Sequence, residues 1–133
     1  MKRIPNSKMT KVFLGVGVTL LLMLTFVGHA KAVALKRGDI LVADASAVGG
    51  AGAVIRVDPL TGAQTVVSSG GLFVRPFDLT IDAAGQILVV DTEAFGGSVG
   101  IIRVDPVSGV QTVIYNSSGG GPIQGPDGIV IHD

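Results

Sequence analysis

From Gly38 onward the chain alternates short apolar runs with stretches rich in Gly, Ser, Asp and Pro. The run Ile87-Leu88-Val89-Val90, bounded by Gly85 and Asp91, has no polar position. That pattern suits a strand covered on both faces better than one with a wet face. Ile40 to Asp44 is its counterpart. A Gly-rich loop from Phe95 to Gly100 follows, and Ile101 to Val104 then enters Asp105-Pro106-Val107-Ser108-Gly109. Asp bonds the backbone two residues on, Pro presets φ, and Gly takes the left-handed position, so these five residues predict a tight turn. The chain returns as Val110 to Ile114, which makes a hairpin. The same turn stands at Asp58-Pro59-Leu60-Thr61-Gly62. A further strand is expected at Phe77–Asp82 and again at Asp127–Ile131.

These elements recur because the sequence repeats. Gly38–Val67 reappears without a gap as Gly85–Ile114, 47 residues later, with 17 of 30 positions identical. Unrelated segments would share roughly two or three. A period of this length, filled with short strands and Gly-rich turns, belongs to radial or solenoidal β architectures whose units bury their faces against their neighbours. Four strands per period make one propeller blade. The expected fold is all-β: two four-stranded β-propeller repeats, 38–84 and 85–133, forming an incomplete propeller after an N-terminal signal helix. The strands run in the phase second, third, fourth, first.

The phrase Pro-x-x-hydrophobic-x-hydrophobic-Asp-x-x-Gly-x-Ile-Leu-Val-x-Asp, followed by Ile-x-Arg-Val-Asp-Pro, resembles the NHL-type six-bladed propellers. These include gluconolactonase-like and streptogramin-lyase-like proteins. The resemblance covers essentially all of 33–133. It implies that the Pro-led strand is innermost, the Ile-Leu-Val-x-Asp strand second and the Ile-x-Arg-Val-Asp strand third.

Propellers close with about four to eight blades, and two blades alone leave apolar faces and strand edges uncovered. The expected partners are therefore other propeller blades. Either the chain is part of a longer propeller, or it forms a homo-oligomer in which three copies supply six blades. In the second case Gly128–Ile131 of one copy joins the sheet that opens the next.

The first 32 residues read differently. Lys2, Arg3, Lys8 and Lys11 precede the uncharged run Val12–Gly28, and Ala30-x-Ala32 offers small residues for cleavage. This predicts a signal peptide over 1–32, cut after Ala32 or alternatively after Ala34, and a secreted or periplasmic product. A retained membrane anchor is the competing reading. Five of the ten basic residues lie in 1–32, whereas all ten acids follow, so 33–133 carries a net charge of −5. With only Lys36, Arg37, Arg56, Arg75 and Arg103 as cations and no Trp, that region is unsuited to nucleic acid. The chain has no Cys, which excludes disulfides, thiolate metal sites and a lipobox anchor.

Catalytic groups are sparse. The gluconolactonase-like proteins use a carboxylate, Asn and Asp set around a divalent metal. Region 33–133 has a single Glu, Glu93, a single Asn, Asn116, and a single His, His132, at different phases of the repeat. No catalytic or metal-ligating residue is assigned and no cofactor is expected. A ring of repeated Asp side chains at one rim is the candidate binding site, with Asp44, Asp91 and Glu93 as its members and Ca²⁺ as the ion to test. Arg56 and Arg103 are expected in ion pairs between blades. Arg37-Gly38-Asp39 spells an adhesion tripeptide, but Gly38 holds the turn position of Gly85. Asn116-Ser117-Ser118 is a glycosylation sequon. The function expected is an exported, non-catalytic binding or scaffold module of unidentified ligand. Part of a metal-dependent, lactonase-like propeller hydrolase or lyase is the alternative.

Overall fold

Both Asp-Pro-x-x-Gly segments fold as their residues dictate. Asp58 Oδ1 accepts from the N–H groups of Leu60 and Thr61, and Gly62 N–H donates to the Asp58 carbonyl at 2.8 Å. Asp105 repeats this with Val107, Ser108 and Gly109. Gly62 and Gly109 sit at φ 70° and 71°, where a side chain would be strained. A Cβ on Gly109 would also lie 2.6 Å from the Val67 carbonyl oxygen.

A computed structural model describes residues 34–132. The strands are β1 (Ile40–Asp44), β2 (Ala53–Val57), β3 (Gln64–Ser69), β4 (Pro76–Ile81), β5 (Ile87–Asp91), β6 (Gly100–Val104) and β7 (Gln111–Asn116). A short helical turn, α1 (Ala47–Gly50), joins β1 to β2, and one 3₁₀ turn follows β7 at Ser117–Gly119. The strands form two antiparallel sheets, ordered β1-β2-β3 and β4-β5-β6-β7. The molecule is therefore mostly β, and β4 joins the strands that follow it rather than those that precede it.

The sequence repeat is also a repeat of register. Ile40 faces Val57 as Ile87 faces Val104, and Asp44 faces Ala53 as Asp91 faces Gly100. The register shift between Val54 and Ile55 recurs between Ile101 and Ile102. A bulge flips the alternation of side chains. Its recurrence at the same phase keeps the same residues on the same face in both sheets.

The sheets meet through one face of each. Ile87, Val89, Ile102 and Val104 on the second sheet are fully buried, and they cluster with Val54, Val67 and Phe73, with Leu41 and Leu79 packed alongside. Strands alternate their faces with period two. Leu41, Val54, Arg56 and Ser68 therefore lie on the inner face of the first sheet, and Ile40, Val42, Ile55, Val57 and Val66 lie on its outer face.

Three expectations change. The first sheet has three strands rather than four among the described residues. Residues 127–131 form no strand, because β4 becomes one by pairing with β5 and no sheet follows Ile131 among the described residues. Arg56 makes its ion pair within a sheet, not between sheets: its Nε lies 2.7 Å from Asp39 Oδ2. Among the described residues Asp39 is the acid that joins it, and Gln86 replaces that acid in the second repeat, leaving Arg103 exposed. The signal segment 1–32, its Ala32 cleavage point and Asp133 lie outside the described residues. Among those described, no helix is long and apolar enough to cross a membrane.

Candidate functional site

Asp91 ends β5 opposite Pro76 and is fully buried. The chain approaching β4 turns its backbone toward this carboxylate. Val74 N–H donates to Oδ2 at 2.8 Å, Arg75 N–H reaches both oxygens at 3.0 and 2.9 Å, and Glu93 N–H reaches Oδ1 at 2.9 Å. A buried carboxylate needs such donors. Asp91 is thereby the anchor that fixes the start of β4 beside the end of β5.

Asp44 occupies the same phase of the first sheet and accepts from Ser46 N–H at 2.8 Å and Ala47 N–H at 3.1 Å. It is partly exposed. Glu93 turns outward, where its Oε1 lies 2.9 Å from Arg75 Nη1 with both side chains about half exposed. Asp91 and Glu93 thus meet at the Val74–Arg75 segment, whereas Asp44 bonds only within its own loop. Among the described residues, no three His, Asp or Glu side chains come together to hold a metal ion.

A second polar hub, besides Asp91, is Gln111, which the residue pattern alone does not single out. It opens β7 on the second sheet and reaches the first. Its Nε2 donates to Ser68 Oγ at 2.9 Å and to the Gly70 carbonyl at 3.0 Å, and its Oε1 accepts from Leu72 N–H at 2.6 Å. Ser68 Oγ in turn donates to the Gly109 carbonyl at 2.8 Å. This chain of bonds stitches the sheets together at their outer strands. The signal was present in the sequence: Gln is retained at the same phase, as Gln64, and both strands open Gln-Thr-Val.

Beside this seam runs an open groove of about 620 Å³, lined by Val66, Ser69, Leu72, Ser108 and Val110 with Gln111 at its base. No titratable side chain lines it. Its walls offer hydroxyls, backbone groups and apolar surface, which suits binding and provides nothing for acid–base chemistry.

Among the described residues, three carboxyls have lowered pKa values. Asp58 and Asp105 are lowered chiefly by turn N–H groups, those of Thr61 and Leu60 and those of Ser108 and Val107 respectively. Asp39 is lowered first by the N–H of Lys36 and further by the Arg56 guanidinium. Each is an acid stabilised as an anion by its own fold. Asp39 also accepts from Lys36 N–H at 2.7 Å, and its side chain is only 6 % exposed. The Arg-Gly-Asp tripeptide therefore does not present its carboxylate. Asn116 Oδ1 accepts from Ser118 N–H at 2.8 Å, so the sequon residue caps the turn after β7.

Comparison with protein-family models, with curated proteins and with solved structures gives no match. The functional reading therefore rests on the geometry above.

Proposed function

We propose that the chain is an exported, non-catalytic binding or scaffold module built from two NHL-like propeller blades, and that it acts by stacking on further blades. One observation carries this reading. Two units of identical register, β1-β2-β3 and β5-β6-β7, stack face to face, and a recurring Gln ties their seam. A propeller is built by such stacking. Sites of chemistry contribute nothing to the reading: Asp91 is taken up by backbone N–H groups, Glu93 by Arg75, and the groove carries no titratable side chain.

Adding blades in cis tests it. When Asp133 of one copy is joined to Arg37 of the next, the residues between Ile131 and Ile40 number five, as they do between Ile81 and Ile87. Three copies of residues 37–133 linked in this way are expected to be monomeric. They should also unfold in one cooperative transition at a higher temperature than a single copy. Three independent transitions at an unchanged temperature would contradict the blade reading.

A further inference from the structure

We infer that the two outer faces of this chain are the two halves of one interface, and that a second copy of the chain occupies them head to tail. In this contact residues 127–131 of one copy pair as a fourth strand along β1 of the next. The inference rests on the blade reading and names its partner.

The first argument is the pairing of faces. On the second sheet, the face buried against the first carries Ile87, Val89, Ile102, Val104 and Gln111. One repeat earlier these positions are Ile40, Val42, Ile55, Val57 and Gln64, and they form the outer face of the first sheet. Ile87 and Val89 are fully buried, whereas Ile40 and Val42 are 49 % and 40 % exposed. Conversely, the inner face of the first sheet carries Leu41, Ala43, Val54 and Arg56. Its repeat, Leu88, Val90, Ile101 and Arg103, forms the outer face of the second. Val90 on that face is already buried, Leu88 and Ile101 are half-buried and Arg103 is exposed, so the outer faces carry both partners of the inner contact, the second of them partly covered. That complementarity selects a copy of this chain over an unrelated partner, and a surface that matches another patch of the same molecule associates head to tail.

The second argument is the strand edge. In the second sheet β5 is covered by β4, whereas its counterpart β1 is an edge among the described residues. Edges of this kind recruit strands. Residues 125–131, Gly-Pro-Asp-Gly-Ile-Val-Ile, repeat the pattern of 75–81, Arg-Pro-Phe-Asp-Leu-Thr-Ile. They already lie against the second sheet, because Ile129 N–H donates to Asp78 Oδ2 at 2.9 Å. Gly128 permits this approach, since a Cβ there would lie 3.0 Å from the same oxygen. Asp78 alternates with Leu79, so it lies on the outer face, on the far side of the second sheet from the first. Val130 is 85 % exposed.

The register follows from β4 on β5, where Thr80 faces Leu88 and Ile81 faces Ile87. Translated by one repeat, Val130 of one copy faces Leu41 of the next and Ile131 faces Ile40. Gln64 then enters the seam as Gln111 does. Tyr115 stands in the place of Ser68, and the Ser117 carbonyl, which accepts from Gly120 N–H as the Gly70 carbonyl does from Phe73 N–H, supplies the acceptor. Propellers close with four to eight blades, so a ring of such chains contains about two to four copies.

The chain has no native Cys, which makes cross-linking a clean test. The Leu41→Cys, Val130→Cys double variant, recovered from an exporting host and oxidised, is expected to give reducible links between copies, absent from either single variant. Within one chain the second sheet separates the two positions. A Val42→Lys variant changes an exposed residue and is expected to keep the parent circular dichroism while its solution mass falls to one chain. A folded double variant that forms no link between copies, or a Val42→Lys variant that keeps the parent's mass in a larger species, overturns the inference. If the three-copy fusion folds cooperatively while the single chain neither links nor associates, self-assembly falls and the blade reading stands. If the fusion also fails, both fall.

Discussion

Gln111 on β7 and Ser68 on β3 are joined at 2.9 Å across the seam between the two sheets, and Gln111 also holds Leu72 N–H and the Gly70 carbonyl. Both elements of the seam are outer strands, and they border the hydrophobic cluster, to which Val67 of β3 belongs and against which Leu72 packs. The bond chain therefore fixes how the sheets are oriented, while Val54, Ile87, Val89 and Ile102 supply the attraction between them.

This relationship separates two glutamines of the same phase. Gln111→Ala removes three bonds and leaves Leu72 N–H without its partner, for an expected loss of about 1–3 kcal/mol of stability. Gln64→Ala, on the exposed counterpart, is expected to change the stability of the single chain by no more than about 0.5 kcal/mol. Urea unfolding of both variants checks the contrast. Equal losses would mean that Gln111 acts only through helping its own strand.

The repeated aspartates divide in the same way. Asp91→Ala strips acceptors from Val74, Arg75 and Glu93 N–H groups in a buried place and is expected to cost about 3 kcal/mol or more. Asp44→Ala removes two bonds at a partly exposed loop and is expected to cost about 1 kcal/mol. Millimolar Ca²⁺ is expected to leave the melting temperature unchanged, because the Asp91 oxygens are already engaged. A concentration-dependent rise would instead restore the aspartate ring as a cation site.

Val48 in α1 has φ 53° and ψ 48°. A β-branched side chain is strained in this left-handed region. The side chain is 54 % exposed, so it contributes little packing. Val48→Gly is expected to stabilise the chain by about 1 kcal/mol, read as a rise in the unfolding midpoint. A lower midpoint would show that Val48 packs against a surface more valuable than the strain it carries.

Acid stability follows from Asp39, Asp58 and Asp105, all lowered from an ordinary value of 3.8. Near that pH the unfolded chain binds more protons than the folded one. Their contribution is therefore complete above 3.8 and is lost as pH falls through the lower folded values. The Asp58→Asn, Asp105→Asn double variant is expected to flatten the fall in melting temperature below pH 4 and to leave the neutral region's pH dependence unchanged. An equally steep acid limb in the variant would assign the effect to other groups.

The local part of this fold was legible from residues close in sequence. The Asp-Pro-x-x-Gly turns specify their own hydrogen bonds, and the unbroken run Ile87–Val90 marks a strand buried on both faces. The anchoring role of Asp91 is not legible locally, because two of its backbone donors, Val74 and Arg75, lie 17 and 16 residues away, where no local pattern reveals them. The Gln111 seam escaped for the same reason, since its partners are 39 to 43 residues distant. The ion pair of Arg56 was sought between sheets because Arg recurs at each repeat. Asp39 recurs as Gln86, so the pairing is a property of one sheet only. Residues 127–131 have the pattern of β4 without a β5 to pair with, and pattern alone does not supply a neighbour.

Both the blade reading and the self-complementary faces converge on one number, the mass in solution of the chain recovered from an exporting host. Light scattering at several concentrations is expected to return one discrete species of about two to four chain masses, reduced to one chain by Val42→Lys. A folded single-chain species at every concentration would contradict the self-assembly and leave the blade reading to the three-copy fusion.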